Sequence, residues 1–358
     1  MDIKQATTSY ENWMRRCTAV IESDLRLKHQ QMKDDPYLFL RGTYYRWAQL
    51  WPKVCSDLHR APKVLASGDV HVGNFGTWRD AEGRLAWGVD DFDEAYPLPY
   101  TNDLVRLAAS VKIAGGCAGL SIRLKSGCAA ILEGYRETLR KGGCPIVLAE
   151  HENHLDKLGI IQIKRPDDFW GKLNALPTAL HGLPRDAQSA LRKMLPDPKP
   201  DYRIVRRKAG IGSLGQERFV AIANWDGGCI AREAKAMVPS SSVWMEGREA
   251  RGQSNYRAII TAAVRSHDPF QRIVGRWLLR RLSPDSDPIH IADLPPAMRD
   301  EETLLYAMGS EVANIHLGSK RAKSILGDLR RRKPNWLRTA AKDMAKATMR
   351  EWKEYKKS

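Results

Sequence analysis

The chain of 358 residues is 43% hydrophobic and 28% charged, near globular averages and too long for one small domain, so a folded protein of two lobes is expected. No run approaches the roughly 18 apolar residues that a membrane span requires, and Met1-Asp2-Ile3-Lys4-Gln5 leads into charged sequence without an apolar signal region. A membrane-spanning class is therefore excluded and the cytoplasm is the expected compartment, while the formal net charge of +16 leaves open nucleic acid, an anionic substrate or a basic solvated surface.

The six cysteines, at positions 17, 55, 117, 128, 144 and 229, form no CxxC pair and no ligand-like spacing with histidine, so buried free thiols are expected. In chain order, helices are expected over Tyr10 to Lys28 and Tyr44 to Leu58. Val64-Leu65-Ala66 reads as a strand, Gly68 to Gly76 as a loop, and Leu85 to Val89 as a strand after the Asp80-Ala81-Glu82-Gly83 turn. Apolar spacing predicts helices over Asp103 to Ala114 and Ile122 to Arg140, the second ended by Gly142-Gly143-Cys144-Pro145. Residues 145 to 200 mix short helices with proline-rich connections, and Pro196-Asp197-Pro198-Lys199-Pro200 marks a boundary. Beyond it Arg203 to Arg207, Arg218 to Ala223 and Cys229 to Met237 read as a three-stranded meander, with glycines 210, 212 and 215 in the first connection. A helix over Tyr256 to Ser266, a strand over Gly275 to Leu282 and a helix over Asp300 to Leu317 follow. From Lys320 to Ser358 there are 14 Lys/Arg against 4 Asp/Glu, while Trp336, Met344, Met349, Trp352 and Tyr355 recur at helical spacing. That pattern predicts an amphipathic helix with a basic outer face, which an anionic partner could also use; nucleic acid is the less favoured partner because the tryptophans are too dispersed to form a stacking platform.

Two groups of residues carry chemistry. Asp69, His71 and Asn74 lie in a glycine-bearing loop, and about twenty residues later a strand delivers Asp90, Asp91, Asp93 and Glu94. Phosphate chemistry needs a carboxylate to orient or deprotonate a hydroxyl and hard oxygen ligands for Mg²⁺, which takes few protein ligands. Four carboxylates in five residues repel one another unless a cation sits among them, and strand alternation sends Asp91 and Asp93 to one side. The bland alternative is a solvated acidic turn. The second group is Gly210-Ile211-Gly212-Ser213-Leu214-Gly215 with Lys235. A dinucleotide-binding turn would open a helix, but Phe219, Val220 and Ile222 continue as a strand. A glycine hairpin over phosphates with a lysine on the third strand is instead the protein-kinase arrangement; taken alone, such a lysine would be an exposed edge residue. His316, on an apolar-periodic helix, reads as a core or helix-terminal histidine.

Gly68-Asp69-Val70-His71-Val72-Gly73-Asn74, Val89-Asp90-Asp91-Phe92-Asp93-Glu94-Ala95 and Asn102-Asp103-Leu104 together resemble the catalytic segment of aminoglycoside phosphotransferases and related protein-kinase-like enzymes. Most of residues 36 to 320 also resembles the bacterial domain-of-unknown-function family 2252, through those segments with Phe39-Leu40-Arg41-Gly42, Arg106-Leu107-Ala108, the glycine loop, and Lys235 with Pro239-Ser240. The resemblance implies Asp69 as catalytic base, Asn74 and Asp91 as Mg²⁺ ligands, Lys235 on triphosphate oxygens, and Gly210, Gly212, Ser213 and Gly215 around them. Asp103 would brace the loop, with His71, Asp93 and Arg41 in support. In kinase-like chains the glycine loop and lysine come first, whereas here they follow, so the implied fold is α+β, two-lobed and permuted in order. A large lobe would begin at residues 1–200, a small β-rich lobe would be inserted at 201–290, and 291–358 would return to the large lobe. Ser67 stands where the phosphotransferases carry histidine, and Glu246 and Glu249 are candidate partners for Lys235. The implied activity is transfer of phosphate from Mg-ATP to an unidentified hydroxyl acceptor, with adenine between the lobes near a hinge at residues 280–283. Nucleotidyl transfer and a catalytically silent ATP-binding regulator use the same parts.

Overall fold

Thr18, Val20 and Ile21 divide the first expected helix, because β-branched side chains favour extended backbone. In the computed structural model, which describes residues 1–115, 120–148, 166–179, 182–248, 255–286 and 300–357, α1 (Ile3–Cys17) ends there and α2 (Glu22–Asp34) begins. The break is used: Val20 bridges to Gln216 and the Ile21 amide donates to Gly215 O at 2.8 Å, pinning the end of the glycine loop. Helices α3 (Pro36–Gly42) and α4 (Tyr44–Val54) follow, and two small antiparallel sheets come next. One pairs β1 (Lys63–Ala66) with β4 (Tyr96–Pro99), and the other pairs β2 (Phe75–Arg79) with β3 (Leu85–Val89). The loop expected to run to Gly76 thus ends at Phe75, where the β2 hairpin begins. Asp80 closes that hairpin, its carboxylate accepting the Glu82 and Arg84 amides.

Helix α5 (Thr101–Ala114) is the axis of the main core, with every residue except Lys112 buried. Around it pack α4, α6 (Leu124–Lys141), α11 (Glu301–Leu317) and α13 (Trp336–Lys356). The expected C-terminal helix is two helices, α12 (Ala322–Arg331) and α13, parted around Pro334, which has no amide to continue a helix. Trp336, Leu337, Met344 and Tyr355 face inward and the lysines and arginines outward, as their spacing predicts.

Residues 202–282 build a third sheet in the order β5-β6-β7-β9-β8, antiparallel throughout: β5 (Tyr202–Arg206), β6 (Arg218–Trp225), β7 (Gly228–Ala236), β8 (Arg272–Val274) and β9 (Trp277–Leu282). One face carries Ile204, Phe219, Ala221, Ala234, Trp277 and Leu279 against α8 (Arg185–Lys193); the other buries Val205, Val220, Ile222, Ala231 and Leu282 against Leu173 of α7 (Pro166–Asn174). Lys235 lies on the central strand, so it is not the edge residue that a lone strand lysine suggests. Short helices α9 (Ser241–Met245) and α10 (Tyr256–Ala262) link β7 to β8; α10 stops before the expected Ser266 because Ala263 turns to extended backbone. The five described cysteines are free, and Cys144 is exposed rather than buried as expected. No helix among the described residues is long and apolar enough to cross a membrane.

The α6–α11 crossing brings backbones into contact. A Cβ on Gly134 would lie 2.1 Å from Tyr306 O, and one on Gly309 would lie 2.2 Å from Ile131 O. Gly309→Ala should therefore cost about 1–3 kcal/mol by forcing the helices apart. Chemical denaturation checks this, and an unchanged midpoint and slope would show that the helices are not in contact there.

Candidate functional site

One stripe of α5 shapes the loop at Asp69. Asp103, Arg106 and Ser110, spaced i, i+3 and i+7, share a helix face. Asp103 accepts the Ser67 amide at 2.8 Å and the Gly68 amide at 3.0 Å; Ser110 Oγ accepts the Val72 amide at 3.0 Å. Arg106, fully buried and stacked over Tyr44 and Trp47, donates through Nε and a terminal nitrogen to Asp69 Oδ1. The other oxygen, Oδ2, has no hydrogen-bond partner among the described residues. Burial raises the Asp69 pKa, against the pull of Arg106 and then of Arg41. Gly68 is obligatory here: its φ is +80°, and a Cβ would lie 2.5 Å from Glu94 O. From α11, His316 Nε2 reaches Asp103 Oδ2 at 3.2 Å while Nδ1 meets Tyr135 Oη at 2.8 Å. The histidine read as a core residue thus stands behind the carboxylate that holds the loop.

The acidic run after β3 separates by side. Asp91 Oδ2 accepts from Lys235 Nζ at 2.7 Å, and Asp93 Oδ2 pairs with the same ammonium. Asp90 lies 3.3 Å from Arg280, and Glu94 accepts the amide and hydroxyl of Ser241 and the hydroxyl of Ser240. The protein's own cations and donors therefore relieve the repulsion for which the sequence suggests a metal. Burial pulls the Asp91 pKa up, but Lys235 and then Arg280 hold it below the ordinary carboxylate value. Burial, with the Asp91 charge behind it, pushes Asp93 up.

Asn74 Nδ2 donates to the carbonyls of Asp69 and Asp91, both at 3.1 Å, which leaves Oδ1 as the end available to a cation. Among the described residues no cluster of three or more His, Cys, Asp or Glu could hold a metal. The fit to Mg²⁺ rests instead on two oxygen donors, Asn74 Oδ1 and the Asp91 carboxylate, with Asp93 Oδ1 beside them buried and without a partner. That is the sparse set Mg²⁺ takes when phosphate and water complete its shell.

Facing this loop pair is the polar end of the third sheet. Arg218 lies opposite Lys235 in the β6–β7 register and Glu233 opposite Arg280 in the β7–β9 register. Glu233 is fully buried and ion-paired to Arg207, Arg218 and Arg280, which overcome burial and hold its pKa well below the ordinary value. Arg218 also donates to Ser213 Oγ at 2.7 Å, tying the glycine loop to the sheet. Gly210 and Gly215 take positive φ of 70° and 98°. A cleft of about 280 Å³ lies between the two halves, lined by Asp69, Asn74, Asp91 and Asp93 on one side and Gly210, Gly212, Ser213, Arg218 and Arg280 on the other.

Arg41 lines the cleft too, where a helix-end arginine is ordinarily a surface ion-pair former. His71 Nδ1 accepts the Gly73 amide at 3.1 Å and its ring packs edge-on to Tyr37, so it braces the loop. Of the two glutamates considered for Lys235, Glu246 bonds Tyr96 Oη and Arg248 instead, and Glu249 lies outside the described residues. Residues 283–286, next to the expected hinge, dock on β2: Asp285 O accepts from Thr77 at 2.7 Å, and its carboxylate pairs with Arg79.

A family model described as "Uncharacterized protein conserved in bacteria (DUF2252)" matches residues 16–194. The match takes in the Asp69 loop, the acidic run and α5, and ends before the sheet bearing the glycine loop and Lys235. No curated protein and no solved structure matches the chain.

Behind β3, Glu311 of α11 is buried, accepts the Val89 amide at 3.3 Å, and is pushed by burial up to about 7. An acid whose folded pKa is raised binds its proton more tightly folded than unfolded, so its contribution is present below the unfolded pKa and lost as pH rises through the folded one. Stability should accordingly fall between about pH 5 and 8, and Glu311→Gln should flatten that fall. Melting temperatures of both proteins across this range check it; parallel profiles would contradict the assignment.

Proposed function

The chain belongs to the bacterial DUF2252 family, and we propose that it is a Mg-ATP-dependent phosphotransferase of permuted protein-kinase-like fold acting on a hydroxyl acceptor. The observation that carries this reading is the 2.7 Å contact between Lys235 Nζ and Asp91 Oδ2. Two groups of residues about 140 positions apart, each read separately as phosphate chemistry, meet at one point. Catalysis by such a site is positioning and electrostatics more than covalent chemistry.

In this reading the glycine loop and the Arg218–Ser213 link lie along the triphosphate. Lys235 Nζ leaves Asp91 for phosphate oxygens. Bound Mg²⁺, held by Asn74 and Asp91, supplies neutralising charge to those phosphates. Arg106 fixes Asp69 Oδ1, so Oδ2 is the oxygen that accepts the hydroxyl of the acceptor. The hydroxyl oxygen attacks the γ-phosphorus, the bond to the β,γ-bridging oxygen breaks, ADP departs, and the hydroxyl proton passes to Asp69 Oδ2. The raised pKa of Asp69 makes it a better proton acceptor than an ordinary aspartate, and the rate is lost as pH falls through that raised value.

Nucleotide-dependent thermal stabilisation, with and without Mg²⁺, tests the reading. A hundredfold excess of ligand over Kd stabilises by about 2.7 kcal/mol, a rise of several degrees in Tm. Wild type should show it with ATP and Mg²⁺ together, and Asp91→Ala should lose the Mg²⁺-dependent part. Absence of any Mg²⁺-dependent shift at millimolar ATP would sink the proposal.

A further inference from the structure

At the end of the cleft bordered by Gly212 lie two cations, Arg41 and Lys28, that have no carboxylate at ion-pair distance among the described residues. Arg41, the arginine of Phe39-Leu40-Arg41-Gly42, lines the cleft with its guanidinium 5.7 Å from the Tyr37 ring centroid. Its Nε is buried without a hydrogen-bond partner, and it forms no ion pair among the described residues. Lys28, 5% exposed, lines the same end; its Nζ makes one hydrogen bond, to Gly212 O at 3.0 Å, and has no carboxylate at ion-pair distance among the described residues. Both residues border Gly212, whose Cβ, if present, would lie 3.6 Å from Arg41 O. Packing fixes this placement, because Gly42 sits where any side chain would strike Met32 Sδ, at 2.4 Å.

Position relative to the reacting groups separates these cations from those assigned to the triphosphate. Arg41 follows Leu40, whose carbonyl accepts from the same Arg106 guanidinium that holds Asp69 Oδ1, whereas Lys235 pairs with Asp91 and Asp93 and Arg280 with Asp90. Asp69 itself is already neutralised by Arg106. Arg41 is half-buried, but leaving its enclosed Nε without a partner is costly, and its planar fork fits carboxylate or phosphate oxygens. We propose that Arg41, with Lys28 behind it, is an oxyanion subsite for the acceptor, so that the substrate is an alcohol bearing a phosphate or carboxylate group near the reacting hydroxyl. This rests on the phosphotransferase reading of the cleft. Burial lowers the Lys28 pKa to about 8, which leaves it predominantly cationic at neutral pH.

The test titrates glycerol 3-phosphate, glycerate and glycerol into full-length protein saturated with Mg²⁺ and a non-hydrolysable ATP analogue, for wild type and Arg41→Gln, and repeats the titrations without nucleotide. At least one of the two anions should bind wild type more tightly than glycerol does. Arg41→Gln should weaken that binding about tenfold or more while leaving analogue affinity within about twofold, as expected for loss of a charge-assisted hydrogen bond to the acceptor alone. Which anion binds identifies the group. The proposal is overturned if glycerol binds as well as both anions, if neither anion binds in either state, or if Arg41→Gln weakens the analogue instead of the anion, which would give Arg41 to the triphosphate. Failure of the analogue to bind wild type would count against the nucleotide reading, and loss of anion binding in nucleotide-free Arg41→Gln would still show the subsite.

Discussion

Three buried polar side chains on a helix that is exposed only at Lys112 set the geometry of the cleft. Asp103, Arg106 and Ser110 of α5 hold the loop from Ser67 to Val72 through two backbone amides, one carboxylate and a third amide. Unpairing buried polar groups is costly, so the helix cannot shift without breaking several of these bonds at once. The loop is thereby tied to the core helix at several points, and Asp69 has Oδ1 fixed by Arg106 while Oδ2 has no hydrogen-bond partner among the described residues. Gly68 and the carbonyl of Glu94 lock its approach from the other side.

Charge balance is the second constraint. The cleft gathers Asp69, Asp90, Asp91 and Asp93, and the fold answers them with Arg106, Arg280 and Lys235. Glu233 in turn organises three arginines beside the glycine loop. The result is a resting site that is self-neutralised across the boundary between the loop pair and the third sheet. In the proposed function, triphosphate and Mg²⁺ exchange places with these internal pairs: phosphate takes Lys235 as the metal takes Asp91. Nucleotide and metal should then bind as a unit, because either alone leaves one half of a buried ion pair unmatched.

Much of this was legible in the sequence, and what was not has identifiable causes. The meander from Arg203 to Met237, the strand before Asp90 and the helix from Asp103 follow local periodicity, and each was found near its expected bounds. The division between α1 and α2 was missed because Val20 and Ile21 suit either an apolar helix face or an extended bridge, and only the pairing of Val20 with Gln216 decides. Arg106 was visible as a charged residue on an apolar helix, three positions after Asp103, but its partner is a long-range choice. The same holds for Glu233: its alternation with Lys235 places both on one face, yet nothing local shows that Glu233 collects arginines while Lys235 crosses to Asp91 and Asp93. The repulsion within the acidic run suggests a metal ion, whereas Lys235, Arg280 and Ser241 answer it within the fold, and these long-range partners leave no local sequence pattern.

The central claim is that Lys235 meets the triphosphate, and an ATP acyl-phosphate probe, which acylates lysines adjoining bound phosphates, tests it most directly. Peptide mapping by mass spectrometry should find Lys235 acylated, with labelling suppressed by excess ATP and Mg²⁺. Labelling confined to other lysines, or labelling of Lys235 that excess nucleotide leaves unchanged, would contradict the account.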